Sequence, residues 1–389
     1  MKKILILGAG IYQVPLIKKA KEMGLYVIVA SIPGNYPGFQ YADKVYYEST
    51  IDEEKIYQIA IEEKISAILT TGTDVAVKTI GYVGEKMGLQ GVTKKVAECV
   101  TNKSYMKECL HRGNVRTAAS MTARSVEEAL NFAKENGFPL MFKCVDKSGS
   151  RGIIKVEDYK DIPKAFEYSV SYSNLDYIVV EKFIPGYEIG VDGYIDGENV
   201  LVVPHGKIVF DNGKTKVPVG HEFPFVCSKV LSDDITDQVK KTLKAVGLDK
   251  SFFNMDVMVS DEKSYVIEIG GRMGATCIPE LLSIYLGCDI YEKMINNALG
   301  EKVEFVDSEK VACVGELLKA EKNGVISNVV LTDEVFVEQV SMDYKVGESV
   351  RKFEIGPDRI GHVIVKGKDL EEARENLKRA KEKILVEVI

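Results

Sequence analysis

The sequence predicts a mixed α/β and α+β protein, with a parallel α/β unit first, a module rich in antiparallel strands next, and a mixed segment at the end. Three observations carry this. The first hundred residues alternate short apolar runs with amphipathic stretches, the pattern of a parallel sheet with crossover helices. From Thr101 that alternation stops, and after Gly186 the chain turns strand-rich. At 389 residues, 46% hydrophobic and 28% charged, the chain has the length of two or three packed units and the composition of a folded protein.

In the first unit, residues 1–98, KILILGAG, LYVIVAS and ISAILTT read as buried strands. PLIKKAKEMG, EEKIYQIAIEE and DVAVKTIGYVGEKMG read as the helices between them. Residues 99–184 open on a helix, TNKSYMKECLHRG. They continue through a helix capped at Ser125, with Glu128 at the capping-box spacing, to the strand PLMFKCV. The loop DKSGSRG, a further strand, a helix near PKAFEY and the strand YIVVEKF follow. Residues 185–300 hold VDGYID, NVLVVP and GKIVF as strands, a helix near DDITDQVKKTLKAVG, and the pair FFNMDVMVS and SYVIEIGGR. Residues 301–389 are mixed and close on the helix DLEEARENLKRAKEKI.

Lys plus Arg number 51 against 58 Asp plus Glu, a net charge of −7 with no long basic block, which argues against a general nucleic-acid binder. Seven cysteines, odd in number and never spaced CxxC, argue against a zinc site and a disulfide framework. No run reaches the roughly 18–20 apolar residues that span a bilayer. The expectation is a soluble, cytoplasmic protein with neither a membrane nor a nucleic-acid partner.

The early GxG in ILGAGIYQ invites a dinucleotide reading. That fingerprint needs a third glycine where Gln13 stands and an acid ending the second strand, which instead ends Ala30-Ser31. A tight strand-to-helix turn is the preferred reading, and a nicotinamide cofactor is not expected.

FFNMDVMVSDEKSYVIEIGGR carries more. Strict alternation gives Phe253, Met255, Val257 and Val259 one apolar face and leaves Asp256 on the other; Glu268 likewise points away from Tyr265, Ile267 and Ile269. A three-residue turn, Asp261-Glu262-Lys263, sets Ser260 opposite Ser264 and Asp256 opposite Glu268, whereas a two-residue turn puts the two acids on unrelated faces. Facing carboxylates destabilise a sheet unless something compensates. A divalent cation does so, since magnesium takes one or two carboxylates and completes its shell with water and phosphate oxygens. The alternative is a solvated hairpin face. Arg272, four residues past Glu268, suits a phosphate or carboxylate beside that cation, or an ordinary surface salt bridge.

Lys143 lies inside PLMFKCV, as an edge gatekeeper or as one half of a buried pair. The loop Asp146–Gly152 after it, with Ser148, Gly149 and Ser150, is small and cationic enough to fold its amides over phosphate oxygens. Lys103 reads as a first-turn helix residue.

Together these residues resemble the ATP-grasp superfamily over nearly the whole chain. The N-terminal α/β unit is similar to its pre-ATP-grasp domain, PLMFKCVDKSGSRG to its strand lysine and phosphate loop, VVEKFIPGYE to its hinge, and MDVMV with VIEIGGRMG to its metal strands. The resemblance implies ATP as cofactor with magnesium or manganese. It puts Lys103, Lys143, Ser148, Gly149 and Ser150 at the phosphates, Glu181, Lys182, Phe183 and Ile184 around adenine, and Glu188 at the ribose. Asp256 and Glu268 would hold the metal and Arg272 the reacting phosphate or acyl group. The family's Asn two residues after the glutamate is Gly270 here, which puts a second metal in question. VGHEFP and PDRIGHVIVKGKDLEEARENLKRA are similar to the carbamoyl-phosphate-synthase-like group that includes L-amino acid ligases, which makes His221 a substrate contact. The implied activity is an ADP-forming carboxylate–amine ligase working through an acyl phosphate, with a small-molecule carboxylate and amine as partners. A homodimer is implied by the resemblance alone. A purine-pathway ligase acting on a ribonucleotide is the alternative, with an NAD-dependent oxidoreductase and a non-catalytic nucleotide-binding regulator as readings from other classes.

Overall fold

Lys3–Leu7, Tyr26–Ala30 and Ala67–Leu69 are the strands foreseen from the apolar runs. All three pair in parallel, with Lys3–Leu7 between the other two. A fourth strand, Lys44–Tyr46, extends the sheet at the Tyr26–Ala30 side. Three residues of mixed polarity give no periodic signal, so this strand was not foreseen. Gly8, at φ 100°, makes the turn after the first strand. Gln13 closes that turn: its Oε1 accepts from the Gly10 amide at 2.9 Å and its Nε2 donates to the Thr71 carbonyl at 2.6 Å. A side chain thus fills the turn where the dinucleotide fingerprint needs glycine.

The computed structural model describes residues 1–147, 149, 151–211 and 216–389. They form two compact units, Met1–Thr73 with Val203–Val226 and Met273–Ile389, and Asp74–Val202 with Cys227–Arg272. In the first unit the antiparallel strands Lys216–Phe223, Ala312–Lys319, Arg359–Gly367 and Val337–Met342 pair in that order. The helix Leu370–Lys383 lays Ala373, Leu377 and Ala380 on a core with Val314, Val363 and Val365. NVLVVP and GKIVF, read as two strands, are one, Asn199–Asp211: Gly206 and Pro204 interrupt the apolar pattern but not the backbone.

The second unit holds a four-stranded antiparallel sheet in the order Ser120–Ala123, Ile178–Lys182, Leu140–Cys144, Ile153–Val156. One face is apolar. Leu140, Phe142, Ile178 and Val180 pack there against Ala129 and Phe132 of the helix Val126–Asn136 and Ile162 and Ala165 of the helix Ile162–Tyr172. Ser125 caps the first of these through the Glu128 amide at 3.2 Å; Glu128 reaches back to the Arg124 amide, one residue earlier than a capping box requires. Tyr187–Asp196, Ser251–Ser260 and Lys263–Gly270 form the other antiparallel set of this unit, with Ser251–Ser260 central.

The hairpin between the last two strands corrects the expected register. Its turn has two residues, Asp261 and Glu262, both in the left-handed region at φ 49° and 56°, so Ser260 faces Lys263 and Val259 faces Ser264. A β-bulge after Asp256 then leaves Ile267 as an extra residue and restores Asp256 opposite Glu268. The acids meet as expected, for a different reason. The same bulge buries Ser264, Val266 and Ile269 and leaves Tyr265 and Ile267 half-exposed, so the apolar face of this strand is not the one strict alternation gives.

Candidate active site

Asn102 caps the helix Lys103–Arg112, its Oδ1 accepting from the Tyr105 amide at 3.0 Å, and so fixes Lys103 as the first helical residue. A cation there opposes the helix dipole. Lys103 is nevertheless buried, donating to the Lys147 carbonyl at 2.8 Å and lying 3.4 Å from Glu268 Oε1. Burial alone would lower its ammonium; Glu268, together with Cys144 and Asp74, more than offsets that and raises it. The surface reading of Lys103 therefore fails. The helix start brings a fixed positive charge to the carboxylate pair.

Lys143 is on an interior strand, not an edge, and its Nζ donates to Glu181 Oε2 at 2.8 Å. Glu181, expected near adenine, turns its side chain into the unit, where the other oxygen is 3.4 Å from Lys107 Nζ. All three groups are buried. Burial raises the Glu181 carboxyl, but Lys107 and Lys143 together bring it below its ordinary value, so it is ionised. Burial pulls the Lys107 ammonium down to about 8, against the opposing pull of Glu181.

The remaining hinge residues divide. Lys182 donates from Nζ to the Phe138 carbonyl at 2.8 Å; the Phe183 amide meets the Pro139 carbonyl at 3.1 Å, and Lys155 lies 4.8 Å from its ring. Ile184 is half-buried past the strand end, and Glu188 is exposed, opposite Met258. Gly186, at φ 144°, leaves no room for a side chain, because an added Cβ would lie 2.0 Å from the Val259 carbonyl oxygen. In the loop after Lys143, Gly149 is exposed at φ 70°, while Ser148 and Ser150 lie outside the described residues. Asp146 anchors the loop's start, accepting from Ser173 Oγ at 2.8 Å and the Asn174 amide at 3.1 Å.

Arg272 is not a surface residue. Its guanidinium is paired with Asp74 at 2.7 Å and donates to Asn254 Oδ1 at 3.2 Å, and Asn254 in turn donates to the fully buried Asp192 at 2.7 Å. Burial would lower the guanidinium, and Asp74, together with Asp192 and Glu268, more than offsets this and raises it. Gly270 lies directly opposite Asn254, and an added Cβ there would come within 3.2 Å of Asp74 Oδ1 and 3.5 Å of the Arg272 guanidinium carbon. The glycine makes room for the arginine pair.

Sequence reading missed Lys107, Asp74, Asn254 and Asp192. Lys107 follows Lys103 by one helical turn and Asn254 shares the Asp256 face, signals that were available. Asp74, 198 residues from Arg272, left none. His221, expected at the substrate, is buried in the first unit on Lys216–Phe223. Its ring lies edge-on to His205 at 4.8 Å, and burial keeps it neutral by depressing its pKa well below the usual value. His205 stacks on Phe223, His362 is pushed by burial down to about 3 beside Arg359, and His111 ends its helix bonded to Ser120 at 2.9 Å.

Among the described residues no three His, Cys, Asp or Glu side chains are arranged to hold a metal. Asp256 and Glu268 supply two carboxylates side by side, the number magnesium takes from protein when phosphates and water complete its octahedron. The donor set fits on that condition.

An ATP-grasp domain family model matches residues 100–276, which include Lys103, Lys143, Glu181, Asp256, Glu268 and Arg272. A second model, L-amino acid ligase C-terminal domain 2, matches residues 317–388. Residues 100–276 are thus an ATP-grasp domain. Among curated relatives the chain is 25% identical over 297 residues to the C-terminal section of the carbamoyl phosphate synthase large chain of Aquifex aeolicus, covering 71% of this chain and 54% of that one. Against the large chain of Clostridium perfringens it is 25% identical over 324 residues, 78% of this chain and 30% of that one. It thus spans about half the length of the first and under a third of the second. Phosphoribosylglycinamide synthetase from Anaerococcus prevotii superposes over 100% of both chains with a TM-score of 0.87 at 28% identity. L-amino acid ligase from Bacillus licheniformis shares the fold over 100% of this chain and 99% of its own, with a TM-score of 0.82 at 18% identity.

Proposed function

We propose that this ATP-grasp chain is an ATP-dependent, ADP-forming carboxylate–amine ligase acting through an acyl phosphate on amino acids or a small carboxylate. The observation that carries the reading is the pairing of Asp256 with Glu268 beside the Lys103 ammonium. Two acids and a buried lysine in one place suit the polyphosphate of a nucleotide and the cation that accompanies it. The matched L-amino acid ligase domain supports an amino-acid substrate.

In this reading a substrate carboxylate attacks the γ-phosphate of ATP, releasing ADP and leaving an acyl phosphate. An amine then attacks the acyl carbon, forms the C–N bond and expels phosphate. Little covalent work falls to the protein. Lys103 and Lys143 hold phosphate oxygens, and Arg272 neutralises charge on the transferring group from a position fixed by Asp74 and Asn254. Asp256 and Glu268 would hold magnesium, which when bound would supply further positive charge to the phosphates. Glu188 takes the ribose and the strand end Glu181–Ile184 lines the adenine. The loop with Ser148, Gly149 and Ser150 shields the acyl phosphate from water. His221, neutral at physiological pH, contacts the acceptor.

The 28% identity to phosphoribosylglycinamide synthetase over the whole chain favours a second reading, a ligase that joins an amino acid to an amine on a ribonucleotide. A panel of amino acids, small carboxylates and an aminated ribosyl phosphate, scored by coupled ADP release, separates the two. Release that needs both an acid and an amine supports ligation; ATP turnover indifferent to either overturns it.

A further inference from the structure

We propose that Lys107 is a positioning residue for nucleotide binding: it keeps Glu181 compensated when Lys143 leaves that carboxylate for the phosphates. This rests on the ATP-binding reading above.

Glu181 has more cationic partners than a balanced pair requires. Lys143 and Glu181 alone make a balanced buried pair at 2.8 Å, and such a pair needs no third charge. Lys107 adds one all the same, itself buried and 3.4 Å from the Glu181 oxygen that Lys143 does not use. Burying an ammonium group is costly, and here it leaves two cations around one anion. The surplus is accounted for when a polyphosphate arrives: Lys143 turns to it, and Glu181 keeps a partner. Without Lys107, that turn would strand an ionised carboxylate inside the protein.

Lys107 cannot make the turn itself. Its Nζ donates to Thr117 Oγ1 at 2.7 Å, and that hydroxyl donates to the Val266 carbonyl at 2.6 Å, which ties the ammonium to the backbone of the metal hairpin. It acts through Glu181, not on substrate.

The groups that set its charge are Glu181 and Lys143 on the sheet strands and Glu268 on the hairpin; on its own helix His111 is lowered by burial and by Lys107, and Asp234 on the neighbouring helix is taken by Arg116. Burial puts the Lys107 titration near 8, so its charge is present below that pH and lost above it.

Calorimetric titration with a nonhydrolysable ATP analogue plus magnesium, at about pH 7 and about pH 9.5, tests this. Wild-type affinity should fall as the pH rises through about 8. Lys107→Arg, charged throughout, should keep its affinity at the higher pH. Lys107→Met should bind roughly tenfold or more weakly than wild type at about pH 7 and like wild type at about pH 9.5. Adding Glu181→Gln to Lys107→Met should recover part of that loss, because no carboxylate is then left uncompensated. Equal binding by wild type and Lys107→Met at about pH 7, or no recovery in the double variant at that pH, overturns the proposal. If Lys107→Met does not fold, the pH dependence of Lys107→Arg decides alone, and a profile matching wild type overturns it. A wild-type protein that binds no analogue overturns the ATP reading as well, which separates the two failures.

Discussion

The two four-stranded sheets bury charge in opposite ways. In the parallel sheet, Ile4, Leu5, Ile6, Val27, Ile28 and Val29 are fully buried, and charge stays at the rim, where Lys3 and the edge residue Lys44 meet Glu63. The antiparallel sheet is as apolar on the face under its two helices, but its other face carries Lys143 and Glu181 into the interior. Stability accounts for the first arrangement and for half of the second. Buried ions add little net stability over a packed apolar pair, so the charged face points to chemistry.

The comparison is sharpened most by removing charge where chemistry is placed. Glu268→Gln should abolish ATP turnover, a loss on the order of a thousandfold or more, with the melting temperature little changed. An unaltered rate of ADP release removes the metal assignment. Arg272→Ala should lower kcat by roughly a hundredfold or more and leave ATP affinity nearly intact. A change confined to affinity would move Arg272 from the reacting group to nucleotide binding.

Truncating the apolar faces should instead read out in stability. Phe142→Ala should cost about 3–5 kcal/mol and Leu5→Ala about 2–5 kcal/mol in denaturant unfolding, without a specific effect on kcat. Replacing Lys107, Lys143 and Glu181 together by apolar residues strands no charge and should cost less; an equal cost would erase the distinction between the faces.

The smallest expected effect is at the rim. Lys3, Lys44 and Tyr46 hold the Glu63 carboxyl down at about 2. Its folded value lies below its unfolded one of about 4.3, so the pairing stabilises above that pH and the contribution is lost as pH falls toward 2. Glu63→Gln should flatten that part of the acid-unfolding curve.

The parallel sheet was legible because its strands are short apolar runs between amphipathic helices, and one misread region shows where that logic ends. The Asp256–Glu268 pairing came out of simple alternation only because a two-residue turn and a bulge at Ile267 offset each other, and a bulge has no period to detect. Glu188, read only as following the hinge, lies on a strand that the sequence reading began at Val191, while Lys143 was placed on the right strand by the apolar run around it. The side chain of Glu181 was not: which way a carboxylate turns depends on Lys107, on a helix distant in sequence. Asp74 was beyond reach for the same reason, since only the folded chain brings it to Arg272.

In the proposed reading Asp256 and Glu268 hold a divalent cation against a nucleotide's phosphates. Electron paramagnetic resonance of Mn2+ titrated into the protein with a nonhydrolysable ATP analogue tests it most directly. Bound Mn2+ should appear in the wild type only with the analogue present and disappear in Asp256→Asn/Glu268→Gln. Undiminished binding in that folded double variant would contradict it.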